Sequence, residues 1–134
     1  MEIKMEVGAV HEVTAVVTDE ITAKNVKSGS LSVLATPCMV ALMEQAASEL
    51  CDKFIPEGIS TVGTAISVEH LAATSVGAPV KAVATLLSFD GRKAEFTVEA
   101  FDNAGLIGKG THTRFTIKID SFMNKAEERK ALNN

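Results

Sequence analysis

Between Met5 and Val17 the chain is dominated by Val, Thr and Ala, which predicts a first strand, and the polar run through Asn25, Lys27, Ser28, Gly29 and Ser30 predicts a loop. A helix follows. Thr36 stands where an N-cap is expected and Pro37 at the first helical position, where the missing N–H costs nothing, while Pro56 and Gly58 should stop the helix after about Phe54. At about 100° per residue, Val40, Met43, Ala47, Leu50, Cys51 and Phe54 form one stripe, with Gln45, Glu49, Asp52 and Lys53 opposite, so this helix should lie on an apolar surface. Four strand-like segments come next: Ser60 to Ala72, Pro79 to Phe89, Arg92 to Phe101 and Leu106 to Ile119. Asp90-Gly91 and Asp102-Asn103-Ala104-Gly105 supply hairpin turn chemistry, and such short connections force antiparallel neighbours. The order strand, helix, four strands is an α+β pattern in which an antiparallel sheet covers one long helix. From Ser121 to Asn134 the chain carries Lys125, Glu127, Glu128, Arg129 and Lys130 and should form a short solvated terminal helix or tail.

Composition adds bounds rather than elements. A chain of 134 residues, 46% hydrophobic and 22% charged, is expected to fold as a single domain spanning 1–134. A formal charge of −4 with no basic cluster argues against nucleic acid as a partner. No apolar run reaches the roughly 20 residues of a membrane span, and the N-terminus lacks a signal-peptide pattern, so no membrane partner and a cytosolic location are expected. Cys38 and Cys51 lie on one predicted helix, separated by about 20 Å of rise, which predicts two reduced thiols. Their spacing fits no zinc motif, and neither a metal nor another cofactor is expected.

Two polar residues interrupt otherwise apolar faces. Glu44 borders the buried stripe of the helix, where a carboxylate is costly unless paired. In the second strand Val62, Thr64, Ile66, Val68 and His70 share one face by period 2, which turns the imidazole towards the helix. Histidine shuttles protons near neutral pH, and a carboxylate can orient it, act as a base or attack directly. Thr36 reads as a helix cap whose hydroxyl lies beside the partial positive charge of a helix start, a place that favours an anion or a developing oxyanion. Gly105 to Gly110 is followed by strand rather than helix, so it is not a phosphate loop. His112 and Arg114 share one face of the last strand and Phe115, Ile117 and Ile119 the other, which reads as a polar outer face; His11 has no evident role.

These residues resemble the hotdog-fold thioesterases, and within them the group related to fluoroacetyl-CoA thioesterase. In that group Thr-Pro opens the long helix, Glu follows eight residues later and His 26 residues after that, and Thr36, Glu44 and His70 match the order and spacing. The resemblance also covers Ser60 to Thr74, with Gly63 at a substrate-contacting glycine, and Gly110-Thr111-His112-Thr113-Arg114-Phe115, which gives Arg114 a substrate-pocket role. It implies a hotdog fold, a homodimer with pockets at the interface, and hydrolysis of an acyl-CoA. His70 would serve as general base and acid, Glu44 as nucleophile or activator of water, and Thr36 as acyl-positioning group or nucleophile. Gly63 would offer a backbone N–H to the carbonyl. The fluoroacetyl-specific members gate their pocket with phenylalanines in the loop before the helix, whereas Lys27-Ser28-Gly29-Ser30-Leu31 has none, so a more general short-chain acyl-CoA is expected. The alternatives are a hotdog hydroxyacyl dehydratase, whose usual His-Phe-Pro motif before the helix is absent here, and a non-catalytic acyl-CoA-binding module.

Overall fold

In the computed structural model, which describes residues 2–133, the first strand is β1 (Val10–Val16). It starts later than Met5 because a turn at Gly8, with φ of 93°, precedes it. A 3₁₀ turn (Asp19–Ile21) and a single helical turn, α1 (Ala23–Val26), occupy part of the predicted loop. The Thr22 hydroxyl builds this segment, donating to the Asp19 carbonyl and accepting from the Asn25 N–H. Then come the long helix α2 (Thr36–Asp52), the strands β2 (Ile59–His70), β3 (Pro79–Phe89), β4 (Lys93–Asp102) and β5 (Gly105–Lys118), and the exposed helix α3 (Ile119–Leu132). Of the predicted tail, Asn134 lies outside the described residues, as does Met1.

All strand pairs are antiparallel, in the spatial order β1-β3-β4-β5-β2. At the β3–β4 turn the Asp90 carboxylate accepts from the N–H groups of Arg92 and Lys93, and Gly91 takes φ of 102°. At the β4–β5 turn Asp102 accepts from Ala104 N–H, and its other oxygen accepts from the Thr74 hydroxyl. This is the expected α+β hotdog, a helix laid across one face of a single sheet. Two long-range edges remain: β1 on one side and the twelve-residue β2 on the other.

The helix buries Met39, Met43, Ala46, Ala47, Leu50 and Cys51. Its apolar stripe is therefore turned towards Met39 and Ala46 relative to expectation; Val40 is only half-buried, and Phe54 falls beyond the helix end. Beneath it the sheet presents small residues, with Ala82 and Ala84 on β3 and Ala94 and Ala100 on β4 all buried, interleaved with Leu86, Phe96 and Val98. A further link ties α2 to the edge strand: His11 Nε2 lies 2.9 Å from Glu49 Oε1, while Gln45 donates to the other carboxylate oxygen at 2.9 Å. The His11 bond is the main reason the Glu49 carboxyl lies below its usual pKa. Among the described residues no helix is long and apolar enough to cross a membrane.

Candidate active site

The residue that caps α2 is Ala35, not Thr36. Ala35 has extended backbone, Thr36 and Pro37 occupy the first two helical positions, and no side chain accepts a capping hydrogen bond. The expected cap role is thus corrected, because the chain enters the helix one residue earlier than the Thr-Pro pair suggested. Backbone bonds from Leu34 N–H to Thr74 O and from Ala35 N–H to Ile21 O, 2.8 and 2.9 Å, fix that entry without help from a hydroxyl. Thr36 Oγ1 is left free for another partner and lies 2.7 Å from His70 Nδ1.

His70 ends β2, and the chain beyond it is clamped where Leu71 and Ala72 direct their N–H groups to Ile107 O at 2.7 and 3.3 Å. Its other ring nitrogen, Nε2, is buried without a hydrogen-bond partner among the described residues. Burial lowers the pKa of His70, partly opposed by the Ala72 backbone, so the neutral imidazole is favoured. A hollow of about 270 Å³ opens beside this pair, lined by Thr36 and His70 together with Ala23, Ser28, Val33 and Leu34 on one side and Leu71 to Ala73 on the other.

Glu44 belongs to a different cluster. It lies two helical turns beyond Thr36, about 12 Å of rise, and its Oε2 is 3.8 Å from Arg114 Nη1. Arg114 is itself held rigidly, donating from Nε to Thr61 Oγ1 and from Nη2 to Thr61 O, both at 3.0 Å. His112 completes the group. Its Nδ1 is 2.8 Å from the carbonyl of Ala65, which can only accept, so the proton sits on Nδ1 and Nε2 accepts from Arg114 Nη1 at 3.2 Å. Burial is the largest cause of the lowered pKa of His112, and the Arg114 cation adds to it, consistent with a neutral ring.

The outer-face reading of His112 and Arg114 is therefore wrong: they are 2% and 7% exposed and face the helix, whereas Phe115 and Ile117 lie on the opposite side. A bulge explains the error. The β2–β5 register slips between Gly63 and Ala65, so Thr64 is the extra residue. Gly63 and Ile66 then share the face of Arg114 and His112, and Val62, opposite Phe115, points away from it. The bulge turns the Ala65 carbonyl to meet His112. Period-2 reading carries no sign of this, and no local signal marks His112 and Thr61 as supports of the site.

Gly63 is required by space. A Cβ there would lie 2.7 Å from Glu44 Oε2, 3.0 Å from His112 Cε1 and 3.2 Å from Arg114 Nη1. Glu44 is the flexible member and can swing away, whereas His112 and Arg114 are pinned. Gly63→Ala is accordingly expected to lower the melting temperature by a few degrees, because the pinned His112 and Arg114 must yield, and to displace the carboxylate and lower kcat/KM by about 10²-fold. Thermal denaturation and steady-state kinetics on the same preparation check both halves; a large loss of stability with unchanged kcat/KM would contradict the displacement. Among the described residues no group of three or more His, Cys, Asp or Glu side chains is arranged to hold a metal ion.

Comparison with known proteins places this geometry in context. A family model described as fluoroacetyl-CoA-specific thioesterase matches residues 17–120. The fluoroacetyl-CoA thioesterase of Streptantibioticus cattleyicolor is 39% identical over 97 residues, covering 72% of this chain and 70% of that protein. A solved structure of the fluoroacetyl-CoA thioesterase superposes with a TM-score of 0.88 at 34% identity over 93% of this chain and 97% of that one. A hot-dog-like protein from Thermanaerovibrio acidaminovorans superposes with a TM-score of 0.85 at 25% identity, covering 93% of each chain.

Proposed function

This chain belongs to the fluoroacetyl-CoA-specific thioesterase family and is a thioester hydrolase, and from that premise we propose that it cleaves short-chain acyl-CoA through Thr36, His70 and Glu44. The observation that carries the reading is the 2.7 Å contact between Thr36 Oγ1 and His70 Nδ1, made by a hydroxyl that has no capping duty. A neutral imidazole at that distance can take a proton from the attacking oxygen, either the hydroxyl itself or a water beside it. It can then return the proton to the departing CoA thiolate. The thioester carbon gains the new C–O bond and loses the C–S bond; where Thr36 is the nucleophile, a second round with water releases the acid. The reaction so drawn needs water and no further cofactor.

Glu44 takes its part from a second copy of the chain. Among the described residues the outer edge of the long β2 pairs with no strand, and it carries exposed Gly63, Thr64, Ala65 and Ser67, an invitation to add a strand. An antiparallel β2–β2 pairing centred near Ile66, with Thr64 passed over as the extra residue, sets His70 opposite Thr61 of the other copy, on the same inner face as the neighbouring glycine against which that copy's Glu44 rests. A homodimer with composite sites reconciles the two clusters seen in one chain. Arg114 then orients the carboxylate, and Gly63 allows close approach of the carbonyl.

The acyl group is read from the pocket wall. Ser28 lines the hollow at Thr36 and His70, and the loop 27–31 offers no aromatic side chain to close it. Thiol release is therefore expected with acetyl-, propionyl- and fluoroacetyl-CoA alike, with kcat/KM for the fluoroacetyl thioester within about tenfold of acetyl. A preference for fluoroacetyl-CoA of several orders of magnitude would refute the open-pocket reading, and accumulation of enoyl-CoA from a hydroxyacyl-CoA would point instead to a dehydratase.

A further inference from the structure

A second hollow, of about 370 Å³, lies at the opposite end of β2 from His70, bounded by Ile3, Ile59, Arg92, Thr116, Ile117, Lys118, Ser121, Phe122 and Lys125. Arg92, Lys118 and Lys125 supply cations from the β3–β4 turn, the end of β5 and α3. Among the described residues none of the three is in an ion pair, and no acidic side chain lines the hollow, although Asp120 stands in the first turn of α3. The α3 helix starts here, behind Lys118, with no side chain accepting from its first N–H groups, which adds the positive end of a fourteen-residue helix. Ile3, Ile59, Ile117 and the part-exposed Phe122 make the rest apolar.

We propose that this hollow binds the 3′-phosphorylated ADP end of the CoA substrate, with Arg92, Lys118 and Lys125 on the phosphates and the purine against Phe122 and the isoleucines. The proposal rests on the acyl-CoA reading above and assigns the part of the substrate that reading leaves unplaced. Three convergent cations on a protein of net charge −4 are local attraction that overall charge cannot provide. The size suits one nucleotide rather than a polymer, which needs an extended basic track. Its position suits a long, flexible arm: the hollow lies at the end of the sheet, and Ile59 in its wall is four strand residues, about 13 Å, from Gly63.

The test compares acetyl-CoA with acetyl-pantetheine, which keeps the thioester and lacks the nucleotide. Arg92→Ala/Lys118→Ala/Lys125→Ala protein is expected to raise KM for acetyl-CoA by about tenfold or more, with kcat and the acetyl-pantetheine constants unchanged. Calorimetric titration with 3′,5′-ADP should show binding to the wild-type protein that weakens with salt and is lost in the variant, while adenosine and inorganic phosphate bind weakly. Lys125→Glu, a single change on an exposed helix face, should show the same pattern if the triple variant folds poorly. Equal KM increases for both thioesters, or 3′,5′-ADP binding that survives both variants, overturns the proposal. If neither thioester is hydrolysed, the thioesterase reading fails, while the 3′,5′-ADP titration still decides the subsite.

Discussion

Replacing His70 by alanine is expected to lower kcat/KM for short-chain acyl-CoA by about 10²–10⁴-fold, the range removed with a positioned general base and acid. The side chain sits at a strand end whose following residues are held by the Ile107 carbonyl, so truncation leaves the backbone in place and Thr36 without its partner. The pH dependence carries the same signature. Because burial lowers the pKa of His70, the acid limb of the kcat/KM profile should lie below the ordinary histidine value of 6.5 and vanish in the variant. Stability follows the opposite partner in the equilibrium. The unfolded chain protonates at the ordinary value while His70 and His112 resist protonation in the fold, so stability falls as pH drops through 6.5 towards their lowered values. Wild-type kcat/KM in His70→Ala would remove this residue from the mechanism.

Glu44→Gln is expected to cost about 10²-fold or more, since the amide keeps the shape and loses the charge that attacks, activates water or stabilises an imidazolium. The sharper result comes from mixing. If each site joins Thr36 and His70 of one copy with Glu44 of the other, subunit exchange between Glu44→Gln and His70→Ala proteins restores activity. Half of the dimers are then mixed, one of their two sites is intact, and recovery approaches about a quarter of wild type for a symmetric dimer. If Glu44 serves His70 of its own chain, every site keeps one lesion and mixing recovers nothing. The intrachain geometry favours recovery, because Glu44 is engaged by Arg114 two turns away from the Thr36–His70 pair.

Much of the fold is legible in the chain because local signals agree. Asp-Gly at 90–91 and the Asp102–Gly105 turn fix two hairpins, and Pro37 with Gly58 brackets the helix. The thioesterase family and its hotdog fold come from the resemblance that Thr36, Glu44 and His70 carry in their order and spacing. What escaped is what depends on tertiary contact. Nothing local marks Thr64 as an extra residue, and missing it sends Val62 to the wrong face. The inner face of β5 carries His112, Arg114 and Thr116, so a reading that equates polar with outer inverts it; these groups are tolerated inside because Thr61, Ala65 and Glu44 satisfy the first two and the Gly91 carbonyl accepts from the Thr116 hydroxyl. Thr36 looked like a cap because Ser and Thr usually cap, while here Ala35 and the neighbouring backbone close the helix entry and free the hydroxyl.

The alanines under α2 have a consequence for how this enzyme can vary. Ala82, Ala84, Ala94 and Ala100 act as a gauge block between helix and sheet, and the gap they set is also the distance from the Thr36 and Glu44 side to the His70 and Gly63 side. Adding methyl groups at any of them forces the packed layers apart or off their rotamers. Chemistry and packing therefore share one dimension, so enlarging the hydrocarbon interior is expected to cost turnover together with folding.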